Sequence, residues 1–471
     1  MTDKPVELSI TVKVYGEVIE YRREIAMAEL ETGISQVVQE IGTKVLVAGL
    51  KGLDEELRKG VPAGWRNVGT EERSIMSSVG RIRYSRRIYK DEKGVRRKPV
   101  DEVLGVERYD RESQRVQQMG AYLACEGTYR RAASQMSWLM KTKVSHSTIQ
   151  KMVWQVGNRI ADGEEAERRR VFEGGEAIAK GKVKAEVLYG ESDGVWLHLQ
   201  REKRRSVEVR VATLYSGKKP LGKKRYRLAD KCSIAALGLS GDAWQEHVLK
   251  TAHRYYDLEQ TRLLITGGDG NQWVRHTFQR FELPQEFVLD RFHLSRAARR
   301  AIGDRVAAQE MVKKLRQKDF AAVCQELRQS IEQASGRRKE KLKQFYQYIY
   351  NQQDGLLDLS HRGYSSELGS LGAIEGNVDK LVIHRMKGRG CCWKLQGARA
   401  MLALCQHKEA LKQLSYQYLP LEPPEQPNRR KRLALDRLDR SEYLDAHMPI
   451  FDGPDQDKPW VKELYRYVHW H

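Results

Sequence analysis

From Val187 to Tyr215 the chain reads VLYGESDGVWLHLQREKRRSVEVRVATLY. Apolar and polar positions alternate on both sides of a turn made of charge, which predicts two strands of a hairpin. A third strand is expected within KKRYRLADKCSIAAL. The period then changes to that of a helix in GDAWQEHVLKTAHRYYDLEQ, and a short apolar strand, LLIT, runs into GGDGN and another helix. EFVLDRFHLSRAARRAIGDR repeats the order of strand, acid and helix. Three hairpin-connected strands followed by strand–helix units predict a mixed α/β sheet over residues 183–294.

Around that sheet the pattern divides the chain. Residues 1–70 start like a strand and turn helical, as an N-terminal α/β or dimerisation segment. Residues 71–110 read as a basic β-hairpin marked by Val79, Ile82, Tyr84, Ile88 and Tyr89, with DEKG as its turn. It is either a small structural hairpin or a surface for a phosphate backbone. Residues 111–162 have the layout of a helix-turn-helix. Its first helix carries Ala132, Ala133, Met136 and Leu139; Ser145 or Ser147 caps a second bearing Ile149, Met152, Val153 and Val156. Arg130, His146, Ser147, Thr148, Gln150 and Lys151 are its exposed donors for DNA, although helical hairpins of this period also occur in proteins that never meet DNA. The charged, glycine-punctuated stretch at 163–182 predicts a linker. Residues 295–365 are helix-forming throughout and read as an insertion. Residues 366–415 return to loop and helix, and 416–471 form a polar tail.

Charge narrows the partners. The 471 residues carry a net charge of +21, in basic runs spread along the chain. Such a field attracts polyanions, nucleic acid first, through counterion release. A solubility surface or an anionic membrane partner are the blander alternatives. No run of apolar residues is long enough to span a membrane, and the start of the chain lacks a signal-peptide core, so a cytoplasmic protein is expected. The six cysteines form no C-x-x-C pair, which argues against structural zinc and for reduced, buried thiols.

Against that positive background three acids stand at special places. Asp193 lies within the first strand of the sheet, Asp269 ends LLIT inside GGDGN, and Glu375 sits in GAIEGN where a basic helix begins. Functional groups of an open α/β sheet collect at the carboxyl ends of its strands, and the first and fourth strands can be neighbours there. Clustered carboxylates raise one another's pKa unless a cation joins them. Oxygen-only donors suit Mg²⁺ or Mn²⁺, and two such ions about 3.5–4 Å apart support in-line phosphoryl displacement. Asp193 and Asp269 are equally readable as turn residues, and Asp354, Glu367 and Asp379 compete for the third position. Gly194 is expected to leave room beside the Asp193 carboxylate.

YGESDGVWLHLQREKRR, GGDGNQWV, LDRFHLSRAARRAI and GAIEGNVDKLVIHRMKGRGCCWKLQGARAM stand in this order. Together they resemble bacterial insertion-sequence transposases of the ISLre-two type, relatives of the Mutator-like transposases, from about residue 75 to about residue 410. The resemblance implies an α/β ribonuclease-H-like catalytic domain with a helical insertion, preceded by the hairpin and the helix-turn-helix. Carried over residue by residue it implies a DDE triad of Asp193, Asp269 and Glu375 that holds the metal ions. Asp290 and His293 in DRFH match a motif expected to order the edge of the active site, with a core histidine as the alternative for His293. Arg204 and Arg205 at the charged turn, Arg291, and His384, Arg385, Lys387 and Arg389 behind the glutamate are expected to contact DNA. Trp393 is expected either to stack on an unpaired base or to be a core tryptophan.

The expected function is therefore transposition: metal-dependent cleavage and strand transfer at the ends of an insertion sequence. The expected partner is double-stranded DNA, held by a homodimer or larger assembly at the nucleoid. A structure-specific nuclease with the same metals and a catalytically idle DNA-binding regulator are the rival readings.

Overall fold

A computed structural model describes residues 5–222, 225–317, 319–365, 368, 371–388, 390–416 and 458–459. Arg389, Glu367 and nearly all of the polar tail lie outside the described residues. The described chain forms two compact units, one reaching Glu164 and resuming at His407, the other Glu165–Gln406.

The first unit opens with a hairpin, β1 (Val6–Val14) and β2 (Glu17–Ile25), and a long helix, α1 (Leu30–Lys59). Helix α1 buries Leu50 and Leu57 against Ile75, Ile82 and Tyr84 of a second hairpin, β3 (Arg66–Ser77) and β4 (Gly80–Lys90). The tight turn of that hairpin is Ser78–Val79, not DEKG, which joins β4 only to the two-residue strand β5 (Arg96–Arg97). The first seven residues of β3 are exposed and lack an apolar alternation; pairing with β4 makes them a strand. Nor are all the basic residues here on the surface. Arg73 and Arg86 are buried and share Asp101, from the short helix α2 (Pro99–Leu104), at 2.7 and 2.9 Å. Burial of paired charge makes this a structural network.

Three helices follow: α3 (Gln114–Glu126), α4 (Tyr129–Met140) and α5 (His146–Phe172). Ser145 is the cap of α5, accepting from the Thr148 amide at 3.1 Å. Ile149, Met152, Val153 and Val156 are buried, while Ser147, Gln150 and Lys151 are exposed. The expected linker is corrected in its first half, because α5 continues through it to Phe172. Glu165 pairs with Arg168 and Arg169 one turn ahead, a spacing that supports a helix, and the buried Glu167 binds Lys250 and Arg254 at 2.8 and 2.6 Å. These contacts outweigh the cost of Gly163 within the helix.

The second unit is built on a five-stranded sheet. Its strands are β6 (Val187–His198), β7 (Ser206–Tyr215), β10 (Cys232–Leu237), β11 (Leu263–Gly268) and β12 (Gln285–Leu289), in spatial order β10-β7-β6-β11-β12. β6, β11 and β12 are parallel; β7 runs against both β6 and β10. The third strand expected within KKRYRLADKCSIAAL is two structures. Of its basic half, Arg225–Ala229 is β9, which pairs with the preceding β8 (Gly217–Gly222) in a separate two-stranded ribbon, and only its apolar half joins the sheet as β10. One sheet face packs Leu188, Leu214 and Leu264 against Trp244 and Val248 of α6 (Gly241–Tyr255). The other carries Tyr189, Tyr215, Ile265 and Val288.

Between β12 and the segment bearing Glu375 lie α8 (Arg291–Ile302), α9 (Arg305–Arg316), α10 (Phe320–Gln333), α11 (Gly336–Asn351) and α12 (Gln353–Leu356); a short α7 (Gln272–His276) follows β11. α8 to α12 share a core with Leu289 at the end of β12. Then come α13 (Ile374–Val378), continued as a π-helix over Asp379–Lys387, and α14 (Leu395–Gln406). π-Helical turns are rare and frequent at functional sites.

Candidate active site

The ladder between β6 and β11 sets Gly267 opposite Glu191. Two residues further along each parallel strand, Asp269 stands level with Asp193. The ladder between β11 and β12 sets Gly268 opposite Leu289, so Asp290 is level with Asp269, and its amide donates to the Gly268 carbonyl at 2.8 Å. Backbone register thus lines up Asp193, Asp269 and Asp290 across three adjacent parallel strands. Asp269 and Asp290 follow the carboxyl ends of β11 and β12, where open α/β sheets collect functional groups, while Asp193 lies within β6, which runs on to His198. Glycine is required where the strands end. A Cβ on Gly268 would come within 2.2 Å of Val274 and 2.7 Å of the Ser192 carbonyl, and one on Gly267 within 2.5 Å of Leu371. Gly194 has a different role from the one expected: its missing Cβ makes room for Glu208 and Trp273 on the other face.

The three aspartates are placed differently. Asp193 is half-buried and accepts from the Gly194 amide at 2.7 Å. Burial pushes its carboxyl above the usual range; the Gly194 hydrogen bond and His293 pull it back, and Asp269 and Asp290 push it further up. Asp269 accepts from the amide and side chain of Asn271 at 2.9 and 2.5 Å. Asp290 caps α8 through the amides of Phe292 and His293 at 2.8 and 3.0 Å, so part of its role is architectural. The Asp269 loop is tied to the helical insertion. Tyr348 donates to the Asp269 carbonyl at 3.0 Å and Gln352 to that of Gly270 at 2.8 Å.

Glu375 is exposed in the first turn of α13. With Asp290, His293, Arg291, Arg316 and Asp358 it lines a cavity of about 490 Å³ whose wall does not include Asp193 or Asp269. Asp193, Asp269, Asp290 and His293 therefore form one electrostatic group, and Glu375 meets its Asp290 and His293 side. Among the described residues no three of His, Cys, Asp or Glu are drawn together closely enough to hold an ion. The donor set nevertheless fits a hard divalent cation in type and charge, because it offers carboxylate oxygens, and Asp269 and Asp290 add to the burial that raises the Asp193 pKa.

Of the competitors for the third acid, Asp354 is committed elsewhere. Asp354 is bound by both terminal nitrogens of Arg275, at 2.9 and 2.6 Å, and the Arg275 hydrogen bond holds its carboxyl below the usual range. Asp379 is exposed in the π-helical segment.

The expected DNA contacts also divide. Arg130 on α4, and Ser147 and Lys151 on α5, are exposed, and Lys151 reaches the Tyr109 carbonyl at 3.3 Å. Arg204 and Arg205 are exposed between β6 and β7, as are His384 and Lys387 on the π-helix. Arg291 is exposed and bridges to Asp358 at 3.2 Å. Arg385 is corrected and Trp393 takes the core alternative: they are 9% and 7% exposed and face each other, with the guanidinium 5.2 Å from the ring centre. The Trp393 indole donates to the Met386 carbonyl at 2.7 Å, and its backbone pairs with His198 and Gln200 at the end of β6. It is a core tryptophan. Of the cysteines, Cys392 is exposed, against the expectation of buried thiols.

One residue beside the site carried no expectation. Glu191, two positions before Asp193 on the same face of β6, is 1% exposed and receives hydrogen bonds from Tyr215 and from the backbone of residues 372–374. The available signal was an acid inside a strand whose neighbours read as buried.

Fold and site together define a mixed α/β protein whose three parallel strands carry a row of aspartates, with a helix-borne glutamate lining a cavity beside the last of them. Residues 21–412 match the family described as UPF0236, an uncharacterised protein family, and the chain belongs to it. It is similar to a UPF0236 protein from the vanSb 3′ region of Streptococcus gallolyticus, with 24% identity over 451 residues, covering 92% of this chain and 96% of that protein.

Proposed function

We propose that this protein is a DNA transposase that cuts at the ends of an insertion sequence and joins the freed 3′-hydroxyls to target DNA. The observation that carries the reading is the register of Asp193, Asp269 and Asp290 on β6, β11 and β12. The strand order supports a ribonuclease-H-like domain: in chain order the five strands run 3-2-1-4-5, with only the second reversed. The helices α8 to α12, placed between the last strand and Glu375, support the DDE arrangement of the insertion-sequence enzymes that the sequence resembles.

In this reading Asp193 and Asp269 hold Mg²⁺ or Mn²⁺, two ions in the engaged state, with Glu375 completing the set from α13. When bound, the cations supply the charge that stabilises the attacking and leaving oxygens of an in-line phosphoryl displacement. The chain's own residues orient the substrate. Exposed Arg204, Arg205, Arg291, His384 and Lys387 offer donors to the phosphate backbone, while Arg130, Ser147 and Lys151 offer a helix-turn-helix face. Two ends imply at least a dimer when DNA is bound, and the partner places the protein at the nucleoid.

The test is strand cleavage and joining on DNA that carries the element's ends, with Mg²⁺, for wild type, Asp193→Ala and Glu375→Gln. Joining that disappears in both variants is the expected result. Unchanged joining in both sinks the assignment; hydrolysis without joining marks a nuclease; specific binding without metal-dependent chemistry marks a regulator.

A further inference from the structure

We infer that Glu191 is a positioning residue: its buried carboxylate fixes the segment that bears Glu375 to β6, the strand that bears Asp193. This rests on the reading of Glu375 as a member of the active site.

The Glu191 carboxylate is saturated with donors. Oε1 accepts from the Tyr215 hydroxyl at 2.6 Å and the Ala373 amide at 3.0 Å. Oε2 accepts from the amides of Gly372, Ala373 and Ile374 at 2.8, 2.9 and 3.3 Å. These three consecutive amides immediately precede Glu375. Amides at the start of a helix have no partner within it, so one side chain from the sheet satisfies what the helix cannot. Tyr215 is held in turn by stacking on Tyr189, with ring centres 5.2 Å apart.

A buried carboxylate is tolerated only when it is fully hydrogen-bonded, and here the donors come from β7 and from residues 372–374. Alternation of side chains puts Glu191 and Asp193 on one face of β6, roughly 7 Å apart along the strand. The same carboxylate cannot serve as a metal ligand, because its oxygens are already committed. Two acids two residues apart therefore do different work: Asp193 keeps its carboxylate for the site, and Glu191 spends its own on geometry. Gly372 sits at φ +112°, a backbone state that side chains rarely adopt, so the segment reaches Glu191 through a conformation suited to glycine.

The prediction is specific to Glu191→Gln. The amide has almost the same shape, but it loses the charge and turns one acceptor into a donor that faces other donors. Hydrogen exchange, measured on full-length protein, should speed up at residues 372–378 in Glu191→Gln and remain at the wild-type level in Asp193→Asn. Unchanged exchange at 372–378 in Glu191→Gln overturns the tether. Strand transfer should fall about tenfold in Glu191→Gln, but by under about threefold when the same change is made in Glu375→Asp, because residues that act as one unit are not additive. A full tenfold loss in both backgrounds overturns the positioning role and leaves a merely structural one. If the wild-type protein neither cleaves nor joins DNA, the reading of the reaction fails by itself, and hydrogen exchange alone decides whether Glu191 holds this segment.

Discussion

Asp269 and Glu375 are brought toward Asp193 by two different devices. Asp269 arrives through the backbone ladder of β11 against β6 and β12, in which every paired residue helps to set the register. Glu375 follows a segment that, among its described residues, has no ladder to the sheet. The amides just before it are bonded to the side chain of Glu191, with Lys218 reaching the Leu371 carbonyl and Lys231 the Asn377 side chain. A ladder is redundant, because removing one side chain leaves its hydrogen bonds intact. A side-chain attachment has less reserve: here Glu191 is backed by Lys218 at the Leu371 carbonyl and Lys231 at Asn377. The glutamate side of the site is therefore the fragile one, and the aspartate side should lose function only when a carboxylate itself is removed or the strands are forced apart.

The largest effect is expected at Asp193. Asp193→Asn should lower strand cleavage by about a thousandfold, roughly 4 kcal/mol of barrier, as measured in single-turnover assays with Mg²⁺. The same change should stabilise the metal-free protein at neutral pH. Burial raises the Asp193 pKa, so the folded state binds this proton more tightly than the unfolded chain does. Stability then falls as pH rises from the ordinary carboxylate range through the raised pKa, and the deficit persists above it. Asparagine removes the charge and keeps an oxygen for the Gly194 amide. A lower melting temperature for the variant without divalent ions would contradict that placement of Asp193.

Next in size is Gly268→Ala, which attacks the ladder itself. The added methyl meets Val274 and the Ser192 carbonyl, an overpacking that costs about 1–3 kcal/mol and shifts the strand end that carries Asp269. Gly217→Ala, where a Cβ would meet nothing within 4 Å, is the matched control and should melt within a degree or two of wild type. Equal melting temperatures for the two variants would show that the strand ends are looser than the register implies.

These contrasts bear on what could be read from the chain before its fold was known. Asp193, Asp269 and Asp290 were legible because each ends or interrupts an apolar strand, and strand order then makes them neighbours. The helical insertion was legible from its period. Glu191 was legible only in part: an acid among buried strand neighbours is a local signal, but its partners lie 24 and about 180 positions away, so what it binds does not show in the chain around it. Arg385 was misplaced and Trp393 left undecided for the same reason, since a basic residue and an aromatic beside a glutamate look alike whether they face DNA or each other. The ends of hairpins and helices failed where pairing overrides local pattern, as in the polar half of β3 and the charged extension of α5, whose ion pairs replace an apolar stripe. KKRYR was assigned to the sheet because a strand pattern does not say which sheet the strand will join.

The smallest effects give the most direct test of the two devices, because the same deletion can be made on either side. Tyr215→Phe removes one donor from Glu191, and Tyr348→Phe removes one from the Asp269 carbonyl. Each buried hydroxyl contributes about 1 kcal/mol to stability, so the two variants should lose similar amounts in denaturant unfolding. Their activities should differ. Tyr215→Phe loosens Glu191, the side chain that binds the amides of residues 372–374, and should slow strand transfer a few-fold. Tyr348→Phe leaves Asp269 held by its ladder, by Asn271 and, through Gly270, by Gln352, so its rate should stay within about twofold of wild type. If Tyr348→Phe is the slower enzyme, the ladder does not fix Asp269, and the helical insertion, which supplies Tyr348 from α11, is what aims that carboxylate.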